Sequence, residues 1–353
     1  MNSFNSDQVL PFDQRMADIL NHAALALSIS LGHRTGLFDT IARVGPANSE
    51  QIALASNLSE RYVREWLGAM VTGSIIEYDP DRRCFHIPSE HVEFLTRSGS
   101  LPNLASGMQW IPLLGRVEDD VLAAFRHGKG VTYEAYHRFH DVMAEESIQT
   151  VVAGLKPHII PFIPGLQERL ETGIDVMDVG CGRGEAMLWL GQHYPQSRFV
   201  GYDFSPDGIE GAQRRAQSLG LANVRFEVRD VAILDEPTTF DWITAFDAIH
   251  DQARPADVLK AVRRSLRPDG VFLMQDISSS SDLQEDRANP LAPFLYTISC
   301  MHCMSVSLGY GGPGLGAMWG RRVARQMLED AGFRDIQIDR LPHDLINDYY
   351  LCR

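Results

Sequence analysis

The chain has five cysteines, Cys84, Cys181, Cys300, Cys303 and Cys352, an odd and scattered set without the paired spacing of a disulfide framework or a zinc ribbon. That usage fits a reducing, cytoplasmic setting. Basic runs are missing too: 32 lysines and arginines stand against 46 aspartates and glutamates, and the formal charge of −14 is spread along the sequence. An acidic surface repels a phosphate backbone, which argues against nucleic acid as a partner. The start, Met1-Asn-Ser-Phe-Asn-Ser-Asp7, lacks the basic residues and apolar run of a secretion signal, and no apolar stretch is long enough to span a membrane. Internal repeats and low-complexity tracts are absent as well.

What is present suits two well-buried cores: 353 residues exceed one compact core, and 44% of them are hydrophobic. From Gln14 to Arg97 the apolar residues fall first at helical and then at strand spacing. Met16 to Leu31 reads as a helix ending near Gly32, and Gly36 to Ala42 as a short element closed by Gly45-Pro46. Ser49 is placed to cap a helix over Glu50 to Ala55, and Ser59 opens another that runs to about Val71. Ile75 to Tyr78 and Cys84 to Ile87 alternate as two strands around Asp79-Pro-Asp-Arg-Arg83. The order predicts a mostly helical winged-helix domain over residues 1–98.

Residues 99–172 read as a helical connector and cap, broken at Gly128-Lys-Gly130 and between Pro161 and Pro164. From Ile174 onward short apolar runs alternate with helical segments, with strands expected at 174–179, 198–203, 223–228, 240–246, 270–276, 334–340 and 347–352. This is the pattern of an α/β, Rossmann-like seven-stranded domain over 173–353.

Asp178-Val-Gly-Cys-Gly-Arg-Gly184 stands where the first of these strands turns into a helix, and its glycines let backbone approach a ligand. Dinucleotide-binding units use a related turn, but here an acidic residue precedes the first glycine by two. A carboxylate there repels a pyrophosphate and suits an amino group. Asp203 closes the next strand, where a carboxylate can accept from ribose hydroxyls, and Asp230 closes the third, where it can accept from an adenine amine. Either could instead cap the helix that follows. Together with Asp178 they put three carboxylates at the carboxyl edge of one sheet.

By Val176-Met-Asp-Val-Gly-Cys-Gly-Arg-Gly184, Val200-Gly-Tyr-Asp203, Arg229-Asp230 and Leu266-Arg-Pro-Asp-Gly-Val-Phe-Leu273, the segment from about Asp175 onward resembles the class I S-adenosylmethionine (SAM)-dependent methyltransferases. The whole chain is similar to bacterial winged-helix methyltransferases labelled as regulators and, more distantly, to plant-type small-molecule O-methyltransferases. The resemblance implies S-adenosyl-L-methionine as cofactor, with S-adenosyl-L-homocysteine as product, and a cofactor site of Asp178, Gly180, Gly182, Gly184, Asp203, Phe204, Asp230, Val231 and Phe246. It also implies a homodimer built through the N-terminal domain.

Transfer to a hydroxyl needs a proton acceptor. His250, just past the fourth strand in Ala248-Ile-His-Asp251, resembles the catalytic histidine of plant-type enzymes, and Asp251 is placed to orient it or to cap the next helix. Tyr133, Tyr136, Phe139, His140 and Met143 are expected to shape the pocket of a small apolar or aromatic acceptor. The spacing from Tyr136 to Met143 predicts one helix face, although His140 stands where plant-type enzymes carry asparagine. An insertion over 282–320, with His302, Met318 and Trp319, is expected to complete that pocket. Cys300, His302 and Cys303 invite a metal reading, but a helix cannot aim adjacent residues at one ion and no fourth ligand is evident, so no metal is expected. The alternatives are a winged-helix DNA-binding regulator that senses SAM, and methyl transfer to nitrogen, carbon or sulfur. Against the first, Ser59 to Met70 pairs Arg61 and Arg64 with Glu60 and Glu65.

Overall fold

The computed structural model describes residues 11–99 and 102–353; the Met1 to Asp7 start and Leu101 lie outside them. Backbone contacts separate two units, Met1–Pro112 and Leu113–Arg353. The stretch read as a connector is therefore divided, and its greater part belongs to the second unit.

In the first unit, helix Phe12–Thr35 stops at Gly36, whose left-handed φ of 71° lets its N–H return to the carbonyls of Gly32 and His33. Helix Leu37–Val44 follows directly. The next helix, Ser49–Ser56, is capped one residue earlier than the sequence suggested. Asn48 Oδ1 accepts from Gln51 N at 2.9 Å, and Gln51 Oε1 accepts from Asn48 N at 3.0 Å, a reciprocal pair that satisfies two donors at the helix start. Ser49 is already inside the helix, and its hydroxyl donates to Glu60 at 2.6 Å, tying this helix to the next, Glu60–Thr72. Strands β1 (Glu77–Asp79) and β2 (Cys84–His86) then pair antiparallel as the wing. Phe38, Ile41, Ile52, Leu67 and Met70 fill the core, where Trp66 meets Phe38 edge-on at 5.3 Å and donates to the Ser28 carbonyl at 2.8 Å. Phe12, Met16, Ile19, Leu20, Leu27 and Leu31 leave a long apolar face of the first helix exposed.

The second unit holds a sheet of β3 (Asp175–Val179), β4 (Arg198–Asp203), β5 (Val224–Val228), β6 (Phe240–Phe246), β7 (Leu266–Ile277), β8 (Ile336–Asp339) and β9 (Asn347–Cys352). Their order is β5-β4-β3-β6-β7-β9-β8, with β9 antiparallel to both of its neighbours. Successive side chains of the central strands alternate between the faces, as the pleat requires. Val176, Trp242 and Leu273 join the core that covers helix Glu185–His193, whereas Met177, Ile243 and Phe272 join the core under helices Pro255–Ser265 and Gly320–Asp330. β7 begins four residues before its expected start, because Arg267 to Gly270 forms a register shift between the Phe240/Leu266 and Trp242/Val271 pairs. From β3 the chain steps to β4 on one side and later to β6 on the other. The carboxyl ends of β3 and β6 therefore frame the crevice where wound sheets hold ligands.

Candidate active site

The turn after β3 is built by glycines for steric reasons. Gly180, Gly182 and Gly184 have φ of 70°, 51° and 73°, and a Cβ at Gly180 or Gly184 would come within 2.5 Å of Ala248 or 2.3 Å of the Phe226 ring. Asp203, closing β4, locks this turn: its Oδ2 accepts from Gly182 N at 2.9 Å and its Oδ1 from Ser205 N at 2.8 Å. Burial raises its pKa above the ordinary carboxylate value, against these backbone donors and the nearby His140. Asp178 is buried in β3, where Thr244 of β6 donates to it at 2.7 Å, and burial pushes its pKa up to about 7. Asp230 caps the turn Val231–Ile233 through Ala232 N at 2.9 Å and pairs with Arg254.

These elements enclose a cavity of about 340 Å³. All nine residues expected to touch the cofactor line it: Asp178, Gly180, Gly182, Gly184, Asp203, Phe204, Asp230, Val231 and Phe246. Its charge is one-sided. The three arginines on the wall, Arg183, Arg229 and Arg254, are each bound to carboxylates: Asp141 and Asp207, Glu227 and Glu236, and Asp230. Asp178, Asp203, Asp247 and Asp251 also face the cavity.

His250 lies behind this wall. It is 4% exposed, and its Nδ1 donates to Asp276 Oδ1 at 2.7 Å. The carboxylate that holds the imidazole is thus Asp276 at the end of β7, and not Asp251 as the sequence suggested. Asp276 is fully buried, and the same oxygen also accepts from Trp319 Nε1 at 3.0 Å and Ile277 N at 2.8 Å. Burial pulls the imidazole pKa down more strongly than any one neighbour raises it, but the charge and hydrogen bond of Asp276 act together with Cys303 and hold His250 well above its ordinary value. Asp251 does line the cavity; it accepts from the Tyr133 hydroxyl, and burial pushes its pKa to about 6. Asp247, His250 and Asp276 bring donor atoms within 4.8 Å of one another, the reach of a shared cation, although the Nδ1 to Oδ1 bond already commits two of them.

The expected acceptor residues divide into two groups. Tyr133, Phe139, His140 and Met143 line the cavity, while Tyr136, His302, Met318 and Trp319 are buried away from it. The single helix face expected from Tyr136 to Met143 does not form. Tyr133–Ala135 is one tight turn, Arg138 takes a left-handed φ of 69°, and the helix begins only at Phe139. Tyr136 donates instead to the Met301 carbonyl, and His302 stacks on Phe139 at 4.3 Å with Tyr136 edge-on at 4.7 Å. Burial drives the His302 pKa down to about 3, so its ring is a neutral part of this aromatic cluster. Cys300, His302 and Cys303 lie on the wide helical turn Ser299–Cys303. Trp319 serves the Asp276 carboxylate rather than the pocket.

Asp276, Thr244 and Ser205 escaped the reading of the sequence. Asp276 carried a usable signal, since it ends an expected strand at the same sheet edge as Asp203 and Asp230. Thr244 did not, because mid-strand threonine is ordinary β-sheet composition.

Residues 170–332 match the family described as a methyltransferase domain, and residues 23–97 match the Rv2258c-like winged HTH domain. Among curated proteins, the fatty-acid O-methyltransferase of Mycolicibacterium smegmatis is 33% identical over 122 residues, which cover 34% of this chain and 44% of that protein. The match therefore spans less than half of that relative. Among solved structures, a putative O-methyltransferase from Nostoc punctiforme aligns with a TM-score of 0.73 at 18% identity, covering 98% of this chain and 100% of that one. Human N-acetylserotonin methyltransferase, solved in complex with SAM, aligns with a TM-score of 0.70 at 18% identity, over 100% and 99%.

Proposed function

We propose that this chain, which carries a winged HTH domain followed by a methyltransferase domain, transfers a methyl group from SAM to a hydroxyl of a small apolar or aromatic acceptor. The observation that carries the reading is the charge of the cavity: every arginine on its wall is spent on a carboxylate, while Asp178 and Asp203 line it with no arginine or lysine paired to them among the described residues. Such a wall suits a ligand bearing a positive charge and hydroxyl groups, and rejects a pyrophosphate. Asp178 would hold the ammonium of the methionine end, Gly180 and Gly182 would let it approach, Asp203 would accept from the ribose, and Asp230 with Val231 would receive the adenine. SAM supplies a methyl carbon activated by its sulfonium. The protein's part is to hold the acceptor oxygen against that carbon, exclude water with Tyr133, Phe139 and Met143, and accept the proton the hydroxyl gives up.

For the N-terminal unit the reading is self-association as a homodimer in the cytoplasm, not DNA binding. In helix Glu60–Thr72, Arg61 pairs with Glu65 and Arg64 with Glu60, which leaves little positive charge for phosphates, and the first helix exposes an apolar face. Titration calorimetry with S-adenosylhomocysteine and with NAD tests the central claim. Heat is expected from the first and not the second; the reverse pattern overturns it.

A further inference from the structure

Resting on that reading, the geometry assigns the acceptor's proton to the Asp251 carboxylate, presented by the Tyr133 phenol, and not to the neighbouring imidazole of His250. Only Asp251 of the two lines the cavity. Tyr133 lines it too and donates its hydroxyl to Asp251, while Phe139, Phe204 and His302 pack around its ring at 5.2, 5.3 and 5.5 Å and fix where that hydroxyl points. His250 is committed elsewhere: Nδ1 is bonded to Asp276, and the Cys303 thiol also reaches the imidazole.

The protonation states agree with the placement. The charge and hydrogen bond of Asp276 favour the protonated imidazole, the form that cannot take up a further proton. Asp251, near 6, is ionised at neutral pH yet basic enough to serve, the condition a general base must meet. The groups facing it are Tyr133 from the turn before helix Phe139–Ser147, Asp203 from the end of β4, His250 and Asp276 from behind, and Cys303 from the insertion. In the step itself the acceptor oxygen bonds the methyl carbon, the carbon–sulfur bond breaks with its electron pair left on sulfur, and the hydroxyl proton passes to Asp251. The neutral carboxyl then loses that proton to water. His250 becomes a positioning residue, a buried positive charge that keeps Asp251 from rising further.

Single-turnover methylation of 2-naphthol by the full chain with SAM tests this, with S-adenosylhomocysteine binding measured separately on every variant. Asp251→Asn is expected to lower the rate by about 10²-fold or more while binding the cofactor product. His250→Gln should keep more than a tenth of the rate. Tyr133→Phe removes a hydrogen bond to the ionised carboxylate, so the acid limb of the pH profile, expected at about 6 in the wild type, should move upward. Loss of rate in His250→Gln equal to that in Asp251→Asn, or a limb that stays put in Tyr133→Phe, overturns the assignment. If 2-naphthol is not turned over, the infrared difference between wild type and Asp251→Asn in the S-adenosylhomocysteine complex decides. A carboxyl band that ionises near 6 and shifts in Tyr133→Phe supports the assignment, and no such band overturns it. Failure to bind S-adenosylhomocysteine at all would instead count against the methyl-transfer reading.

Discussion

Asp203→Asn preserves the size of a side chain whose two oxygens do different jobs. One holds Gly182 N and the other Ser205 N, at 2.9 and 2.8 Å. An amide has a single oxygen, so whichever way it turns, its NH2 must face one of the two N–H groups and that bond is lost. A hydrogen bond to a charged group is worth about 1.5–3 kcal/mol. The carboxylate is also buried at a cost, which its raised pKa records, so removing the charge returns part of the loss. The net effect should sit near the lower end, about 1.5 kcal/mol, which in a unit of this size lowers the melting temperature by roughly 3–6 °C. The ribose contact proposed for the same carboxylate adds to this in the complex. The dissociation constant for S-adenosylhomocysteine should therefore rise by roughly 10–150-fold, at 1.4 kcal/mol per tenfold. Scanning calorimetry and titration calorimetry on the same preparations give both numbers. An affinity within about threefold of wild type, roughly 0.7 kcal/mol, would refute the ribose assignment, and an unchanged melting temperature would refute the account of the turn.

Two further outcomes follow from the same structure. Asp178 has a folded pKa of about 7 against an ordinary 3.8, so between those values the folded chain holds a proton that the unfolded chain has lost. Its contribution to stability is present below about 4 and is lost as pH rises to about 7. A ligand ammonium favours the ionised form, so affinity for S-adenosylhomocysteine should rise over that range, and calorimetry on Asp178→Asn should find the slope gone. Leu20→Glu with Leu27→Glu puts charge on the exposed face of the first helix; light scattering should then show a monomer in place of a dimer, and a dimer that survives both substitutions removes that face from the interface.

The sequence showed the sheet clearly, because buried parallel strands read as short apolar runs and the helices between them keep their own period. Asp203 was legible for a related reason: strand ends and the glycine turn are local features, and topology converts them into a shared edge. The cap was not. Tyr136 and Met143 are at helical spacing, but Arg138 adopts a left-handed backbone that spacing does not reveal, so the aromatic residues separate into a wall and a buried cluster. The partner of His250 was misplaced because sequence adjacency favoured Asp251, whereas the wound sheet brings Asp276 from 26 residues away to Nδ1. Asn48 displaced Ser49 as a cap by a similar small margin, since either residue type serves and only the backbone tells which one precedes the helix.

Trp319 ends the segment expected to choose the acceptor, yet its indole is spent on Asp276 Oδ1. The segment is therefore anchored at its far end to the ionic centre of the site. The wall that Tyr310 gives the cavity and a donor to the charge behind Asp251 lie on one segment. An exchange of residues 282–318 for a foreign loop would remove the Tyr310 wall of the cavity and the Cys303 thiol beside His250 but keep the Trp319 donor to Asp276, whereas the same exchange carried one residue further would strip that donor from a fully buried carboxylate. The indole of Trp319 thus marks where a change in this segment becomes a change in the buried pair.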